Sequence, residues 1–351
     1  MPKKGKKDGF FGFFASLNDE RVMPKMRHYP LDEIERRIIY ELESDCKVSV
    51  NELGEKLGIS KRMVETRMHK LIGNKAIVNF VAIVDFSKLG YVDHEVWVQV
   101  RHMQAEKKRK FLDSLISHPQ VGWVASCGGK FDFAFSIMAE DSVTFSDILR
   151  KLLSDNPGIV QNYSISIATK IRSFPRTYLL QKPGIERKGA LFFSGPPQKI
   201  KLDKKDIAIL TILARDAKTP AVEIGRKIGM STNAARMRVK RLETMKVIQG
   251  YKAIFQPSVI GIQNYEILIT TEGITAEKEA EVDEYCRSNP HITLFMSCIG
   301  RWDINLSVDI DGPQQLQQTL SEIRDRFGPV IKDFEYTPIL HVYKFNLGRS
   351  Q

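Results

Sequence analysis

Apolar residues at helical spacing predict three short helices in the first part of the chain. They recur every three or four positions, as on one face of an α-helix, and they are Ile34, Ile38, Leu42, Val50, Leu53, Leu57, Val64, Met68 and Leu71. Gly58 stands where the second helix must end, and Ser60 is suited to cap the third. The connection is only a few residues long, which predicts a helix-turn-helix.

Strands and amphipathic helices follow. The pattern predicts strands near 93–101, 120–126, 131–138 and 159–171, with helices near 104–117 and 142–154. Alternation is clearest at residues 304–310, where every second residue is apolar, as in a strand with one buried face. The order βαββαβ favours a ferredoxin-like sandwich, so the predicted fold class is α+β.

The whole pattern occurs twice. A shift of 171 positions aligns Leu31–Ser60 with Leu202–Ser231 without a gap, and residues 31–90 share nineteen identities with residues 202–261. Average composition gives only about four by chance. The sequence therefore predicts two copies of a (winged) helix-turn-helix domain followed by a ferredoxin-like domain.

The repeat sets the predicted domain boundaries. A basic, phenylalanine-containing arm precedes the first copy, and a linker rich in proline and glycine joins the copies. The predicted units are the arm at 1–29, helix-turn-helix domain 1 at 30–80, ferredoxin-like domain 1 at 81–174, the linker at 175–200, helix-turn-helix domain 2 at 201–251 and ferredoxin-like domain 2 at 252–347.

Composition narrows the class of protein. The chain has 351 residues and a formal net charge of +11, which is typical of a partner for nucleic acid or an acidic membrane surface. Four cysteines without CxxC spacing exclude a disulfide scaffold and indicate a cytoplasmic location. No apolar run approaches the roughly 18–20 residues of a membrane span. Lysines in the arm can follow a phosphate backbone or simply form a solvated tail.

Nine of the eleven surplus positive charges lie in residues 1–30 and 175–201, and elsewhere positive charge is concentrated on the third helix of each copy. Residues 60–75 and 231–246 each carry a local balance of +4. A recognition helix places its polar face in a major groove about 12 Å wide while its apolar face packs on the other helices. The predicted DNA-binding residues are Ser60, Lys61, Arg62, Arg67, His69, Lys70, Ser231, Thr232, Asn233, Arg236, Arg238, Lys240 and Arg241.

The copies differ in their candidate base contacts. Arg236 and Asn233 suit guanine and adenine edges, whereas Glu65 repels phosphate. We therefore expect the second copy to carry most of the affinity for DNA. The first copy is the better candidate for a helix-turn-helix that contacts only protein.

These residues resemble the Lrp/AsnC (feast/famine) family of prokaryotic transcription regulators. The resemblance covers residues 31–174 and 202–346 and includes Leu57-Gly58-Ile59-Ser60, the segment 238–243, and the turns 129–132 and 300–303. It implies a transcription regulator that binds double-stranded DNA. The chain departs from the family pattern in fusing two units, so the sandwiches can pair within one chain as a pseudo-dimer or between chains of a homo-oligomer.

The resemblance also implies a small-molecule effector, often an amino acid, bound between paired sandwiches. The positions carried over are Gly129, Asp132, Gly300 and Asp303. The same residue types suit a tight turn between strands for backbone reasons alone. Both interpretations remain open at this point.

Two alternatives have the same architecture. Sirohaem decarboxylases resemble it, but the histidine, tyrosine and arginine cluster expected of such an enzyme is missing, and the seven histidines show no repeated spacing. No catalytic triad, phosphate loop or metal-binding motif occurs, so we predict no enzyme activity, no metal and no cofactor. The second alternative is an abundant DNA-organising protein with weak sequence specificity.

Overall fold

The computed structural model describes residues 28–101, 105–182, 185, 187, 190–192, 195–198 and 200–345. Residues 1–27 of the predicted arm, with their lysines and phenylalanines, lie outside the described residues. The first copy contains α1 (Glu33–Ser44), α2 (Val50–Leu57), α3 (Lys61–Gly73), β1 (Ile77–Val84), β2 (Val92–Val100), α4 (Ala105–Ser117), β3 (Val121–Cys127), β4 (Phe133–Ala139), α5 (Ser142–Ser154) and β5 (Val160–Ser173).

The second copy repeats this order after a short linker strand. Its elements are β6 (Leu191–Phe192), α6 (Lys204–Arg215), α7 (Ala221–Ile228), α8 (Thr232–Thr244), β7 (Ile248–Phe255), β8 (Gln263–Thr271), α9 (Ala276–Ser288), β9 (Ile292–Gly300), β10 (Ile304–Ile310), α10 (Pro313–Phe327) and β11 (Ile331–Phe345). The α+β fold class, with two helix-turn-helix units and two ferredoxin-like units, is confirmed.

Strand β1 joins the two copies. It pairs antiparallel with β7, with Phe80 opposite Ala253. The Cys46 amide in the turn after α1 donates to the Tyr251 carbonyl at 3.0 Å, so the first helix-turn-helix packs on the strand of the second copy. The reverse also holds, because the Ala217 amide donates to the Phe80 carbonyl at 2.9 Å. Each helix-turn-helix therefore rests on a ribbon made by both copies.

This ribbon extends across the predicted domain boundaries. The positions 80/81 and 251/252 fall inside β1 and β7. Strands β1 and β7 continue through these positions because their backbone groups form hydrogen bonds with the other copy. Periodicity within one copy does not reveal such bonds. The predicted linker also packs on the ribbon, since a Cβ at Gly250 would lie 2.9 Å from Leu191 Cδ2.

Each ferredoxin-like unit is an antiparallel sheet with two helices on one face. The strand order is β5-β2-β4-β3 in the first copy and β11-β8-β10-β9 in the second. One apolar core lies between the first sheet and α4 and α5, and another lies between the second sheet and α9 and α10.

The two sheets close on each other within the chain. Strand β5 pairs with β2 of its own sheet and also with β9 of the other sheet. In the same way, β11 pairs with β8 of its own sheet and with β3 of the other. Between the sheets, Trp97 and Trp302 meet edge to face with ring centroids 5.9 Å apart. The single chain thus forms the pseudo-dimer, one of the two geometries that the sequence left open. Among the described residues, every helix is too short or too polar to span a lipid bilayer.

The expectation of one buried face for β10 is wrong. Its polar positions Asn305 and Asp309 are 2% and 0% exposed. The face opposite α9 and α10 packs against the other sandwich and the linker, where Asn305 Nδ2 donates to Glu95 Oε2 at 3.1 Å. Pairing of the sandwiches within the chain therefore covers a face that alternation alone assigns to solvent.

Candidate nucleic-acid interface

The turn before each third helix has the same construction in both copies. Gly58 and Gly229 end the second helix at positive φ angles of 69° and 65°, which glycine adopts readily. Gly54 and Gly225 let the turn approach the helix closely, because a Cβ there would lie 2.8 and 2.6 Å from a backbone carbonyl oxygen. Glycine at these positions fixes the angle between the second and third helices.

Each third helix begins at a capping serine. Ser60 Oγ accepts the Met63 amide, and Ser231 Oγ accepts the Ala234 amide at 3.2 Å. Within α3, Val64 and Leu71 are fully buried, as the apolar stripe predicted. The exposed predicted DNA contacts are Ser60, Lys61, Arg62, His69, Lys70, Ser231, Asn233, Arg236, Lys240 and Arg241, while Thr232 is half-buried.

Arg67 and Arg238 occupy equivalent positions and turn toward the first helix of their copy. Arg67 pairs with Asp32 and lies 3.2 Å from Glu35. Arg238 Nη1 lies 2.8 Å from Asp206, and both arginines are half-buried. These ion pairs fasten the third helix to the capped N-terminus of the first. The ion pairs thus give Arg67 and Arg238 a structural role. That these two arginines also contact DNA stays a prediction.

Two other cations of the third helices also have acidic neighbours. Lys61 lies 3.8 Å from Glu65, and Arg241 pairs with Asp206. In the described part of the chain, no acidic side chain forms an ion pair with Arg62, Lys70, Arg236 or Lys240. Such cations are available for phosphate or a base edge without first breaking a pair.

The exposed faces of α3 and α8 differ in charge. Under the 171-residue shift, Glu65 and His69 of the first copy correspond to Arg236 and Lys240 of the second. All four side chains are exposed. The second copy therefore presents two cations where the first presents a carboxylate and an imidazole.

The predicted effector residues of the first copy hold a turn between β3 and β4. Gly129 has φ of 80°. The Asp132 carboxylate accepts the Val100 amide at 2.8 Å and lies 3.2 Å from Lys108 Nζ. These contacts account for a glycine and an aspartate on backbone grounds.

The equivalent turn of the second copy is more constrained. Gly300 has φ of 134°, and a Cβ there would lie 2.5 Å from the Ile165 carbonyl oxygen of the other sandwich. Asp303 accepts the amide and hydroxyl of Thr271 at 2.6 and 2.9 Å. Both turns lie where the sandwiches meet, so a role in binding an effector remains a prediction.

A buried charge network links the first helix-turn-helix to the second sandwich. Arg176 pairs with Glu43 of α1, and its Nε donates to Asp309 Oδ2 of β10 at 2.6 Å. Tyr178 donates to the same oxygen at 2.8 Å. Although burial acts against the charged guanidinium, Asp309 and Glu43 raise the pKa of Arg176 well above its usual value. Sequence reasoning missed this network, because its members lie far apart in the chain.

The histidines that the structure describes form no shared metal site. Among the described residues, no group of three or more histidine, cysteine, aspartate or glutamate side chains is arranged to hold a metal ion. His94 stacks on Phe145 at 4.3 Å, and burial lowers its pKa. The four cysteines are free and buried.

The fold and the exposed residues together define a tandem helix-turn-helix protein. Its two helix-turn-helix units, called the first and second heads, pack on paired ferredoxin-like domains. The resemblance to the Lrp/AsnC family in a tandem-duplicated form is confirmed by two kinds of domain match. The AsnC-type helix-turn-helix domain matches residues 31–72 and again 202–243, and the Lrp/AsnC ligand binding domain matches residues 95–175.

Curated relatives match less than half of the chain each. The HTH-type transcriptional regulator LrpA of Pyrococcus horikoshii is 40% identical over 78 residues, which are 22% of this chain and 52% of that protein. The chain thus spans about half the length of LrpA. The transcriptional regulator AzlB of Bacillus subtilis is 28% identical over 130 residues, 37% of this chain and 83% of AzlB.

Similarity to solved structures extends along nearly the whole chain. The siroheme decarboxylase NirDL superposes with a TM-score of 0.59 at 13% identity, covering 91% of this chain and 95% of that chain. At this identity the likeness concerns the fold. It supports the arrangement of two helix-turn-helix units on paired sandwiches.

Proposed function

We propose that the protein is a sequence-specific transcription regulator that binds double-stranded DNA through two heads of one chain. The main supporting observation is the exposure of Arg236 and Lys240 on α8, whose Ala235 and Leu242 are fully buried. A guanidinium can bind a guanine edge through two hydrogen bonds, and an ammonium can bind phosphate. LrpA and AzlB are both named as regulators.

The second head carries most of the affinity in this proposal. Asn233 stands one turn before Arg236 and Met237 on the same exposed side, which gives α8 candidate partners for adenine, guanine and a thymine methyl group. On α3 the carboxylate of Glu65 opposes phosphate. The first head then contributes weaker base contacts, for which Lys61 and Arg62 are the exposed candidates.

Removal of the two exposed cations of α8 is expected to weaken DNA binding. For the Arg236→Ala, Lys240→Ala variant we expect about 10- to 100-fold lower affinity for a 40-base-pair mixed-sequence duplex. The slope of log affinity against log salt is expected to fall by about one to two. Fluorescence anisotropy across a salt series measures both quantities.

A variant with the same charge change provides the control. Arg109 and Lys110 are exposed on α4 of the first sandwich, and Arg109→Ala with Lys110→Ala is expected to leave affinity almost unchanged. Unchanged binding by the α8 variant, together with loss of binding by Arg62→Ala, would assign the dominant role to the first head.

Differing recognition helices predict a bipartite site without palindromic symmetry. Two heads on one two-stranded ribbon are expected to select half-sites separated by about 10 base pairs or a multiple. Selection from a random duplex library, followed by sequencing, reveals the two half-sites and their spacing. A single symmetric palindrome would contradict the proposed division of roles.

We propose further that a small molecule modulates DNA binding by the regulator. We also propose that the protein acts in the cytoplasm and is not an enzyme. The match to a ligand binding domain at 95–175 supports modulation. Binding of an amino acid near Gly129, Asp132, Gly300 and Asp303 remains part of this proposal. Haem-like absorbance of the purified protein, together with loss of carbon dioxide from an added tetrapyrrole, would support the decarboxylase alternative instead.

A further inference from the structure

A cavity of about 490 Å³ lies between the first helix-turn-helix and the second sandwich. Its lining includes Leu31 and Arg36 of the first head, together with Ile262 and His291 of the second copy. Leu179, from the linker, also lines it. This volume is typical of a site for a small organic molecule. None of the residues of the turns at 129–132 and 300–303 lines this cavity.

A second cavity of about 240 Å³ occupies the equivalent place in the other half of the molecule. Under the 171-residue shift, Leu31 corresponds to Leu202 and Pro290 to Pro119, and these residues line the two cavities at matching positions. The hollow between a head and the sandwich of the other copy is therefore a property of the duplicated fold.

The lining of the two cavities differs in charge. Arg36 of the larger cavity corresponds to Ile207, and His291 corresponds to Gln120. Lys182, from the linker, adds a cation at the exposed edge of the larger cavity. Because the smaller cavity exists without these groups, the fold does not require them.

Arg36 has unused hydrogen-bonding capacity. Its Nη1 donates to the Leu31 carbonyl at 2.6 Å, while its buried Nε has no hydrogen-bond partner within the described part of the chain. Arg36 lines the cavity, and within the described part of the chain its guanidinium is engaged only through Nη1. A carboxylate in the cavity would give the remaining N–H groups of this guanidinium charge-assisted bonds.

Two further polar groups of the cavity already form a hydrogen bond with each other. Gln315 Nε2 donates to His291 Nε2 at 2.9 Å, so the imidazole is the tautomer that donates through Nδ1 to the Asp309 carbonyl. Tyr178 stacks on this ring with centroids 5.1 Å apart. Asp311 lines the exposed side and would repel a second negative charge on a ligand.

We propose that this cavity binds a small organic monocarboxylate, with its carboxylate on Arg36 and Lys182 and its apolar part against Leu31, Leu179 and Ile262. The cavity adjoins the buried charge network, because Tyr178 lines it and also donates to Asp309. Arg36 and Glu43 share α1, so a ligand here contacts the helix that positions the first head. Binding itself does not depend on DNA, whereas an effect on DNA affinity rests on the proposed function.

Calorimetry on the full-length protein tests the proposal with 4-methylpentanoate and 3-phenylpropanoate as probes. Each acid is expected to bind at least about tenfold more tightly than its uncharged amide, because only the acid forms charge-assisted bonds. Glutarate, which carries a second carboxylate, is expected to bind more weakly than 4-methylpentanoate. Equal binding of acids and amides, or no binding of either acid at millimolar concentration, would overturn the proposal.

Two substitutions locate the site. Arg36→Ile introduces the residue of the smaller cavity and is expected to weaken binding of 4-methylpentanoate about tenfold or more. Lys182→Gln changes an exposed side chain, leaves folding intact and is expected to weaken binding several-fold. Ile207→Val, in the smaller cavity, is the control and should bind as wild type does. Wild-type affinity in both Arg36→Ile and Lys182→Gln would refute the site even if DNA binding were normal.

Discussion

Replacement of Arg176 by alanine is expected to lower the free energy of unfolding by about 3–5 kcal/mol, because it leaves a buried carboxylate without its partner. Glu43 is 2% exposed, its Oε1 pairs with Arg176, and its Oε2 has no hydrogen-bond partner among the described residues. Asp309 is less affected, since Tyr178 and Asn264 also donate to it. Urea denaturation followed by circular dichroism measures the loss.

The second copy supplies the control for this prediction. Ala214 occupies the position equivalent to Glu43, so Glu43→Ala in the Arg176→Ala background is expected to restore part of the lost stability. Arg301→Ala removes an arginine from an exposed pair with Glu335 and is expected to cost about 0–1 kcal/mol. A loss as small as this in Arg176→Ala, or no recovery in the double variant, would show that the network contributes little.

Local patterns in the sequence predicted the three helices of the first helix-turn-helix and the elements of the first sandwich, but not strand β1. Val64 and Leu71 are buried where a helical stripe placed them, and Gly58 and Ser60 end and begin helices as their backbone preferences predicted. The strand predicted near 131–138 is found at Phe133–Ala139. These features depend on neighbours within a few residues, so one sequence is enough to predict them.

Contacts between the copies could not be predicted in this way. Periodicity shows which side of a strand is apolar, but not that Phe80 lies opposite Ala253 of the other copy. In the same way, sequence alone gives no reason to expect a buried Glu43 on α1, because its partner Arg176 lies far away in the chain. For the candidate DNA contacts, sequence predicted the exposure of Arg236 and Lys240 but not the ion pairs of Arg67.

A carboxylic acid buried between the sandwiches is expected to have a large effect on how the stability of the protein depends on pH. Glu266 is 7% exposed, and burial, reinforced by the charge of Glu95 and more weakly by Asp309, raises its pKa to about 8. Hydrogen bonds with Ser307 and Asn305 act in the opposite direction. Glu266 therefore carries a proton in the folded protein at neutral pH, whereas an unfolded chain releases it near the ordinary value of about 4.3.

The sign of the pH dependence follows from this difference. Between the unfolded and folded pKa values the folded state binds more protons, so stability falls as pH rises. The contribution of Glu266 is fully present below about pH 4.3 and is lost as pH rises through about 8, at roughly 1.4 kcal/mol for each pH unit in this interval. Glu95, whose pKa burial raises to about 6, adds to the same trend at lower pH.

Substitution by glutamine isolates the contribution of Glu266, because the amide keeps the size of the side chain and cannot ionise. We expect the melting temperature of wild type to fall more steeply than that of Glu266→Gln between pH 5.5 and 8.5, with the variant more stable at the upper end. Glu284 is exposed on α9, and Glu284→Gln is expected to follow wild type throughout. Parallel curves for wild type and Glu266→Gln would mean that this carboxylate is already charged between the sandwiches, and the buried interior would then have to stabilise an anion.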